Sequence, residues 1–503
     1  MKANIKINIT LGMLAVIYLL ISYNKGMGND EAIWHYIARV WHNNNLLPYT
    51  QTLENKTPGI YYLHYISYTL FGTNSFCIRY MAIAAILLSC HFIYRIAKHW
   101  QHQAAGLLAV CIYGLCMSWD AFDGPYLGQT ETFMNLFNIM AFYFLLQSNA
   151  NKLLPLFWAG CCMGMAIAFK QIAIVSVLGF MVIYSYCIAK SLKPKIKLQG
   201  LFLFITGLLV LTVISCIPLL ISGLSFNNYW QGAWIILLHK GSGASLIVRA
   251  YFFIKAWLAS RIVILYPCIA YMAYMQIKQK LKLPQALWLW LLFDVLATQM
   301  SGYYYWHQLK HFLPALAVLS SIALYNSFAT AATPTVTTAK YRKLLLIVIA
   351  ICFPYKEVIR NINEGLLHPI SDPQKQMAQW INDHTTPNSP IYVLGNDANR
   401  VLCYSHCISA SKYINSIFVA TAAQQSEVLK DMKQQQPKYI VNPLFHYGVN
   451  GSDKLYTTLS KWLKPDPDAT QNPNIGSNFY AMMNNNYHKV ISMYEFDVYE
   501  HNE

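Results

Sequence analysis

Apolar runs about as long as a bilayer is thick recur along this chain of 503 residues, and they leave little choice of architecture. A helix needs about 17–25 mostly apolar residues to cross the hydrocarbon core. Segments of that kind fall near 7–23, 75–94, 104–118, 131–147, 153–169, 172–189, 199–222, 251–275, 286–300, 311–327 and 343–356. Only 12% of the residues are charged, against about 25% in soluble domains. That shortage of polar surface excludes a water-soluble globule built from so many apolar helices. The chain reads as an α-helical polytopic membrane protein with about eleven transmembrane helices.

A formal net charge of +16 raises the question of nucleic acid, but the placement of the charge excludes it. Lysine and arginine gather in alternate short gaps: Lys2 and Lys6, Arg95 and Lys98, Lys152, Lys190 to Lys197, Lys278 to Lys282, and Lys340 to Lys343. That is the positive-inside pattern, which puts these gaps and the N-terminus in the cytoplasm. An odd number of spans then sends the C-terminus outside. The first run lacks a small-residue cleavage site and reads as an uncleaved helix. The outer loops are Asn24–Asn74, Ser118–Thr130, a tight turn at Phe169–Gln171, Gly223–Ala250 and Ser301–Lys310. Most cysteines sit in apolar runs as small packing residues. Cys403 and Cys407 lie in the polar C-terminal part, and their spacing alone does not decide whether they form a disulfide.

In the first outer loop, "DEAIWHYIARVW" puts Ile33, Tyr36, Ile37 and Val40 at helical spacing and predicts an amphipathic interfacial helix. "NNYWQGAWIILL" predicts a second interfacial stretch. Beyond about Lys356 the composition becomes that of a soluble domain. "DPQKQMAQWINDH" and "EVLKDMKQQQ" read as helices, and "SPIYVLGND", "KYIVNPL" and "YHKVISMYEFDVYE" as strands, so a small C-terminal α/β domain is expected. Gly395, Asn396 and Asp397 make no dinucleotide fingerprint. Two domains follow: a membrane domain, 1–356, whose first outer loop is 24–74, and an extracytoplasmic α/β domain, 357–503.

What needs explaining is the ionisable content of that first loop and of the helix ends. Read from residue type alone, Asp30 is an N-cap for the interfacial helix, and Glu31 suits the positive end of the helix dipole. Glu54 and Lys56 make an ordinary loop ion pair. Arg79 snorkels to the interface. Glu131 and Lys170 border apolar runs, where ionisable groups are costly and therefore functional candidates. His307, Lys310 and His311 cluster ahead of "FLPAL". Asp120 and Asp123 share the loop before Glu131 and read as exposed-loop acids. No His/Cys spacing makes a strong metal site. Gly160 and Gly164 suit helix packing rather than chemistry.

In order along the chain, "NDEAIWHYIARVWHNNNLLPYT", "ENKTPGIYYL", "FGTNSFCIRY", "QTETFMNLF", "AIAFKQIA", "YYWHQLKHFLPAL" and "IYVLGNDANRVLCYSHCISASKY" resemble elements of one superfamily. It is the GT-C-type polytopic membrane glycosyltransferases of the protein O-mannosyltransferase and lipid A aminoarabinose transferase group. The resemblance implies that the membrane domain is a glycosyltransferase domain. It implies transfer of a sugar, hexosyl or pentosyl, from a polyprenyl-phosphate donor to an acceptor hydroxyl on the extracytoplasmic face, with inversion. The implied partners are the lipid-linked donor, a lipid, glycan or protein acceptor, and the bilayer. The implied location is the bacterial inner membrane.

Such a reaction needs a carboxylate to take the acceptor proton and cations or a metal to stabilise the departing phosphate. The resemblance makes Asp30 the base, with Glu54 and Glu31 as further catalytic candidates. It gives Lys56, Arg79, Lys170, His307 and Lys310 to the donor phosphate and adds Glu131 and His311 as further site residues. No cofactor is required by this reading. A divalent metal is the alternative to the cations, with Glu54 and His307 as its available ligands. Asp30, Glu54, Lys56 and His307 are expected to converge in one cavity.

Two other classes fit the membrane character. A transporter or flippase of a lipid-linked or anionic substrate predicts ionisable or helix-breaking residues near the midplane and paired halves. The carboxylates here concentrate instead in one outer loop. A non-catalytic scaffold leaves the loop charges unexplained.

Overall fold

The computed structural model describes residues 2–23, 25–74, 76–119, 127–190, 192–239, 246–278, 285–300, 306–329, 334–367, 371–395, 398–419, 421–444 and 475–502. Asp120, Asp123, Asn396 and Asp397 lie outside the described residues. The chain divides into two compact units that alternate along the sequence. Unit one is Met1–Lys25, Arg79–Ser215 and Phe252–Pro369; unit two is Gly26–Ile78, Cys216–Tyr251 and Ile370–Glu503.

In chain order the helices begin with α1 (Lys2–Ser22), α2 (Asn29–Asn44), α3 (Pro58–Phe71), α4 (Phe76–Trp100), α5 (Gln103–Cys116), α6 (Thr130–Leu146), α7 (Leu154–Phe169), α8 (Ala173–Ile183) and α9 (Pro194–Ile221). There follow α10 (Phe226–Trp230), α11 (Ile236–His239), α12 (Leu246–Ala259), α13 (Tyr266–Ile277), α14 (Gln285–Gln299), α15 (Leu313–Ala329) and α16 (Pro334–Cys352). Next come α17 (Tyr355–Asn361), α18 (Pro373–His384), α19 (Asn399–Tyr404), α20 (Ala422–Gln435) and α21 (Ser477–Asn486).

Each apolar run read from the sequence is helical. Among the described residues three helices are long and apolar enough to cross a membrane unaided: Ile5–Ser22, Phe76–Trp100 and Pro194–Ile221. Their exposed residues are large and apolar, as with Leu198, Phe202, Leu209 and Val213 on α9. That is the surface a helix presents to lipid.

One expected span is not continuous. The run 251–275 breaks after Ala259 into a 3-10 turn, Arg261–Leu265, and restarts as α13 with Pro267 in its first turn. Proline has no N–H to bond back to the preceding turn, so it interrupts a continuing helix but is well placed in the first turn of a new one. Arg261 at the break is drawn aside by Glu357, 3.0 Å away, and lies 4.6 Å over the Trp119 ring. The unbroken apolar helix starts at Arg261, ten residues later than the sequence suggests.

Unit one is a helix assembly in which α6 runs along α7, α14 along α8, and α15 along α5. Small residues set the closest approach. A Cβ on Gly160 of α7 would run into the Phe204 carbonyl of α9, and one on Gly207 of α9 into the Phe157 carbonyl of α7. Gly164, one turn along, faces the Leu208 carbonyl in the same way. These glycines let two backbones touch, as membrane helices do where no hydrophobic effect drives their association.

Unit two joins the first loop to the C-terminal residues. Its five-stranded sheet has the order β2-β1-β3-β5-β4, with β1 (Pro390–Val393), β2 (Ile408–Ser409), β3 (Tyr439–Pro443), β4 (Tyr487–Met493) and β5 (Phe496–His501). β1 pairs parallel with β2 and β3, and β5 antiparallel with β3 and β4. Tyr392, Leu394, Phe418, Val428, Ile440 and Phe479 form its core, and Leu53 packs against them. The Leu53 N–H donates to the Lys412 carbonyl at 2.8 Å. Arg39 of α2 donates to the carbonyls of Leu402, at 3.1 Å, and Cys407, at 2.6 Å. Cys403 and Cys407 are free thiols, both buried.

Candidate active site

Two sets of candidates emerge, one in each unit. Unit two holds Asp30, Glu31, Glu54 and Lys56; unit one holds Arg79, Glu131, Lys170, His307, Lys310 and His311.

In unit two, α2 starts one residue before Asp30, and Gly28 is its N-cap. Asp30 is therefore not the cap that residue type suggests. Glu31, at the third helical position, closes the end instead: its Oε2 accepts the Gly28 N–H at 3.2 Å, and the side chain is buried. This satisfies one donor and sets a negative charge at the positive end of the dipole. Asp30 is half-buried, and its carboxylate has no hydrogen-bond or ion-pair partner among the described residues. A carboxylate held on a rigid helix but left unoccupied is available as a base.

Glu54 and Lys56 are not the solvated pair that their loop position suggests. Glu54 is 3% exposed, and Lys56 Nζ lies 3.0 Å from its Oε1 and 2.9 Å from Asn55 Oδ1. The ammonium also sits 5.7 Å over the Trp34 ring. Pro58 opens α3, a position that proline's missing N–H tolerates. The Tyr61 hydroxyl, one turn into α3, donates to the Glu54 carbonyl at 3.1 Å.

Beneath this pair, α2 and α3 meet through two buried histidines. His35 Nε2–H donates to the Gly72 carbonyl at 3.0 Å, which leaves His35 Nδ1 to accept from His64 Nδ1–H at 3.4 Å. Burial lowers the His35 pKa to about 4. Burial, with His35 beside it, holds His64 well below the usual histidine range. Both are neutral when folded, whereas an unfolded histidine takes up its proton near about pH 6.5. Their contribution to stability is complete above that pH and is lost as the pH falls towards 4. Amide exchange in α2 should rise across that window, and a His35→Gln/His64→Leu double variant should lose the dependence.

In unit one, Arg79 does not snorkel. It is 1% exposed and donates to the carbonyls of Ser22, at 3.4 Å, and Lys25 at the end of α1. Glu131 lies in the first turn of α6 and is 1% exposed. Its Oε1 is bonded by Lys170 Nζ from the turn between α7 and α8, and its Oε2 accepts from Thr130 Oγ at 2.9 Å. His307 Nε2 is 3.6 Å from the same Oε1. His307, Lys310 and His311 share one 3-10 turn, Trp306–Phe312. Lys170, His307 and Lys310 all act electrostatically on the one carboxylate. Two lysines and a histidine around a single acid leave the cluster net positive, which suits a phosphate. Among the described residues no group of three or more His, Cys, Asp or Glu side chains could hold a metal ion.

Residues 55–220 match the family described as dolichyl-phosphate-mannose-protein mannosyltransferase. No curated protein matches the chain by sequence. ArnT from Cupriavidus metallidurans in the apo state superposes with a TM-score of 0.62 at 14% identity, over 99% of this chain and 98% of that one. Bound to undecaprenyl phosphate, ArnT gives 0.58 at 13% identity, over 98% and 97%. The archaeal oligosaccharyltransferase AglB from Archaeoglobus fulgidus, with an inhibitory peptide and a dolichol-phosphate, gives 0.53 at 10% identity, over 87% and 69%. The chain has the GT-C fold.

One group in this GT-C chain is missing from the sequence candidates. Asp294 is fully buried in α14 and is bonded by Ser176 and Asn138. Its signal was available: it is the lone acid in the run "QALWLWLLFDVLATQ". Ser176 and Asn138 carry no such signal, because small polar residues are common in membrane helices.

Proposed function

We propose that the protein moves a sugar from a polyprenyl-phosphate donor to an acceptor hydroxyl on the extracytoplasmic face, with inversion at the anomeric carbon. The observation that carries this reading is the net-positive cluster of Lys170, His307 and Lys310 around Glu131 within a GT-C fold. Fold alone would not do so, since one fold hosts many functions. The bond from the acceptor oxygen to the anomeric carbon forms as the bond from that carbon to the phosphate oxygen breaks. The phosphate leaves with the electron pair, and the acceptor proton goes to Asp30. Lys170, His307 and Lys310 offset the charge that develops on the phosphate. Glu54, already bonded to Lys56, keeps that ammonium in place, and Glu31 fixes the helix end that presents Asp30. Arg79 holds the end of α1. The acceptor is a lipid, glycan or protein, and the transferred group a hexose or pentose.

The test is reconstitution in vesicles with undecaprenyl-phosphate-linked sugars and cell-envelope acceptors. Acceptor-dependent loss of sugar from the lipid is expected. Movement of intact lipid-linked sugar across the bilayer without bond cleavage would replace this reading with a flippase.

The same reading puts the N-terminus in the cytoplasm and residues 357–503 outside. Alkaline phosphatase fused after Tyr355 should be active. A reporter at that position active only in the cytoplasm would reverse the catalytic face.

A further inference from the structure

Below the cation cluster, unit one contains a polar chain that the proposed chemistry does not use. Glu131, Asn135 and Asn138 lie at i, i+4 and i+7 of α6 and so share one face. Asn135, Asn138, Ser176 of α8, Asp294 of α14 and His311 of the 306–312 turn are each 0% exposed. They form one connected set, and their donors and acceptors can be counted.

The count starts at Asn135. Its Nδ2 is 2.7 Å from the Lys310 carbonyl, which only accepts, and this fixes the orientation of the amide. Asn135 Oδ1 therefore faces His311 Nδ1, 3.3 Å away, and needs a proton there. On the other side of the ring, Ser176 Oγ is 2.9 Å from His311 Nε2 and 2.8 Å from Asp294 Oδ1. The hydroxyl has one proton to give. If it goes to Asp294, Nε2 must carry a second ring proton, which leaves an imidazolium 3.4 Å from a carboxylate with no solvent at either. If it goes to Nε2, Asp294 is a carboxylic acid that donates to Ser176. Both arrangements hold the same number of protons and no net charge. The first carries a desolvation penalty on two buried ions, and the second on none. Asn138 Nδ2, 3.2 and 3.3 Å from the two Asp294 oxygens, donates in either case.

We infer that Asp294, Ser176 and His311 form a neutral positioning relay, a carboxylic acid bonded through a hydroxyl to an Nδ1-protonated imidazole, that locks the turn carrying His307 and Lys310. Asn135 completes the lock by holding both the His311 ring and the Lys310 carbonyl. The three are positioning residues, because they act on the phosphate-binding cations through the backbone of the turn. Their effect on the donor rests on the proposed function; the proton arrangement and the locked turn do not.

The proton arrangement is read from the full-length protein in lipid nanodiscs, labelled with ¹⁵N-histidine, with His311→Gln used to assign the resonance. An Nδ1-protonated, Nε2-bare His311 is expected. A doubly protonated ring, or one bare at Nδ1, overturns the relay. The lock is read by amide exchange of Trp306–Phe312. Asp294→Asn keeps a donor towards Ser176 and should leave exchange within about twofold of the parent, whereas Asp294→Ala and Ser176→Ala, which each remove at least one buried hydrogen bond, should speed it roughly tenfold or more. Ser176→Ala serves alone if Asp294→Ala does not fold. Equal exchange in all three variants and the parent overturns the positioning role. A donor KM raised in the two alanine variants, with kcat less affected, would extend the lock to the reaction. A protein that transfers no sugar would refute the proposed function and leave the exchange and resonance results to decide the relay.

Discussion

Replacing Asp30 by Asn is expected to lower sugar transfer by about 10²–10⁴-fold, the usual value of general-base catalysis, with the fold intact. The substitution keeps size and shape but removes the group that takes the acceptor's proton. The structural cost is small. Gly28, not Asp30, caps α2, and Glu31 closes the helix end, so no cap is lost. Asp30 also has no bonded partner among the described residues for the change to strand. Only its favourable interaction with the helix dipole goes, about 0.3–1 kcal/mol. Transfer is compared in membranes at matched protein level. Near-normal turnover by the variant would remove Asp30 from the mechanism and pass the role to Glu54. Glu31→Gln is the useful contrast: it weakens the helix end, so its main effect should be on stability rather than on turnover.

How far the sequence carries depends on whether a feature is local. The apolar runs and the alternating strands and helices after Lys356 are written in residue periodicity and appear as helices and strands, apart from the break in 251–275. α2 is helical where its pattern puts it, but Glu31 to Val40 are all buried, so it does not show the solvated polar face of an interfacial helix. The tight turn at Phe169–Gln171 is likewise plain from two apolar runs that nearly touch. α3 was not legible as a separate helix, because "PGIYYLHYISYTLF" is aromatic-rich and β-branched enough to pass for loop or strand. The hairpin between β4 and β5 turns at Tyr494 and Glu495, both at positive φ, with none of the usual Asn-Gly signal.

The candidate residues followed the same division. Their identities were visible in short motifs, but their burial and partners were not. Glu54 and Lys56 looked solvated and are enclosed; Asp30 looked like a cap and is not. Cap position depends on where the chain leaves its extended conformation, here at Gly28, and ion-pair burial on elements far away in sequence. The pairing of Glu131 with Lys170 spans 39 positions and is fixed by the packing of α6 on α7. No spacing rule reports such a pair.

That buried pair should be the most damaging to break from one side. Lys170→Met leaves Glu131 charged and enclosed, and removing one partner of a buried pair typically costs about 3–5 kcal/mol. His307 and Lys310 remain near the carboxylate and will soften that cost, so the lower end of the range is expected here. Glu131→Gln leaves Lys170 without its carboxylate, but Lys170 is 12% exposed and reaches water more easily, so this side should cost less. The combined Glu131→Gln/Lys170→Met variant removes both charges, and buried pairs replaced by neutral groups of similar volume are often as stable as the original. Thermal unfolding in detergent should therefore show Lys170→Met well below the parent and the double variant close to it. Transfer should not follow stability. If Lys170 neutralises the departing phosphate, the double variant is folded but slow, by roughly the 10²–10³-fold that one lost electrostatic donor costs. A double variant that recovers turnover together with stability would make the pair purely structural and leave His307 and Lys310 as the cations facing the donor.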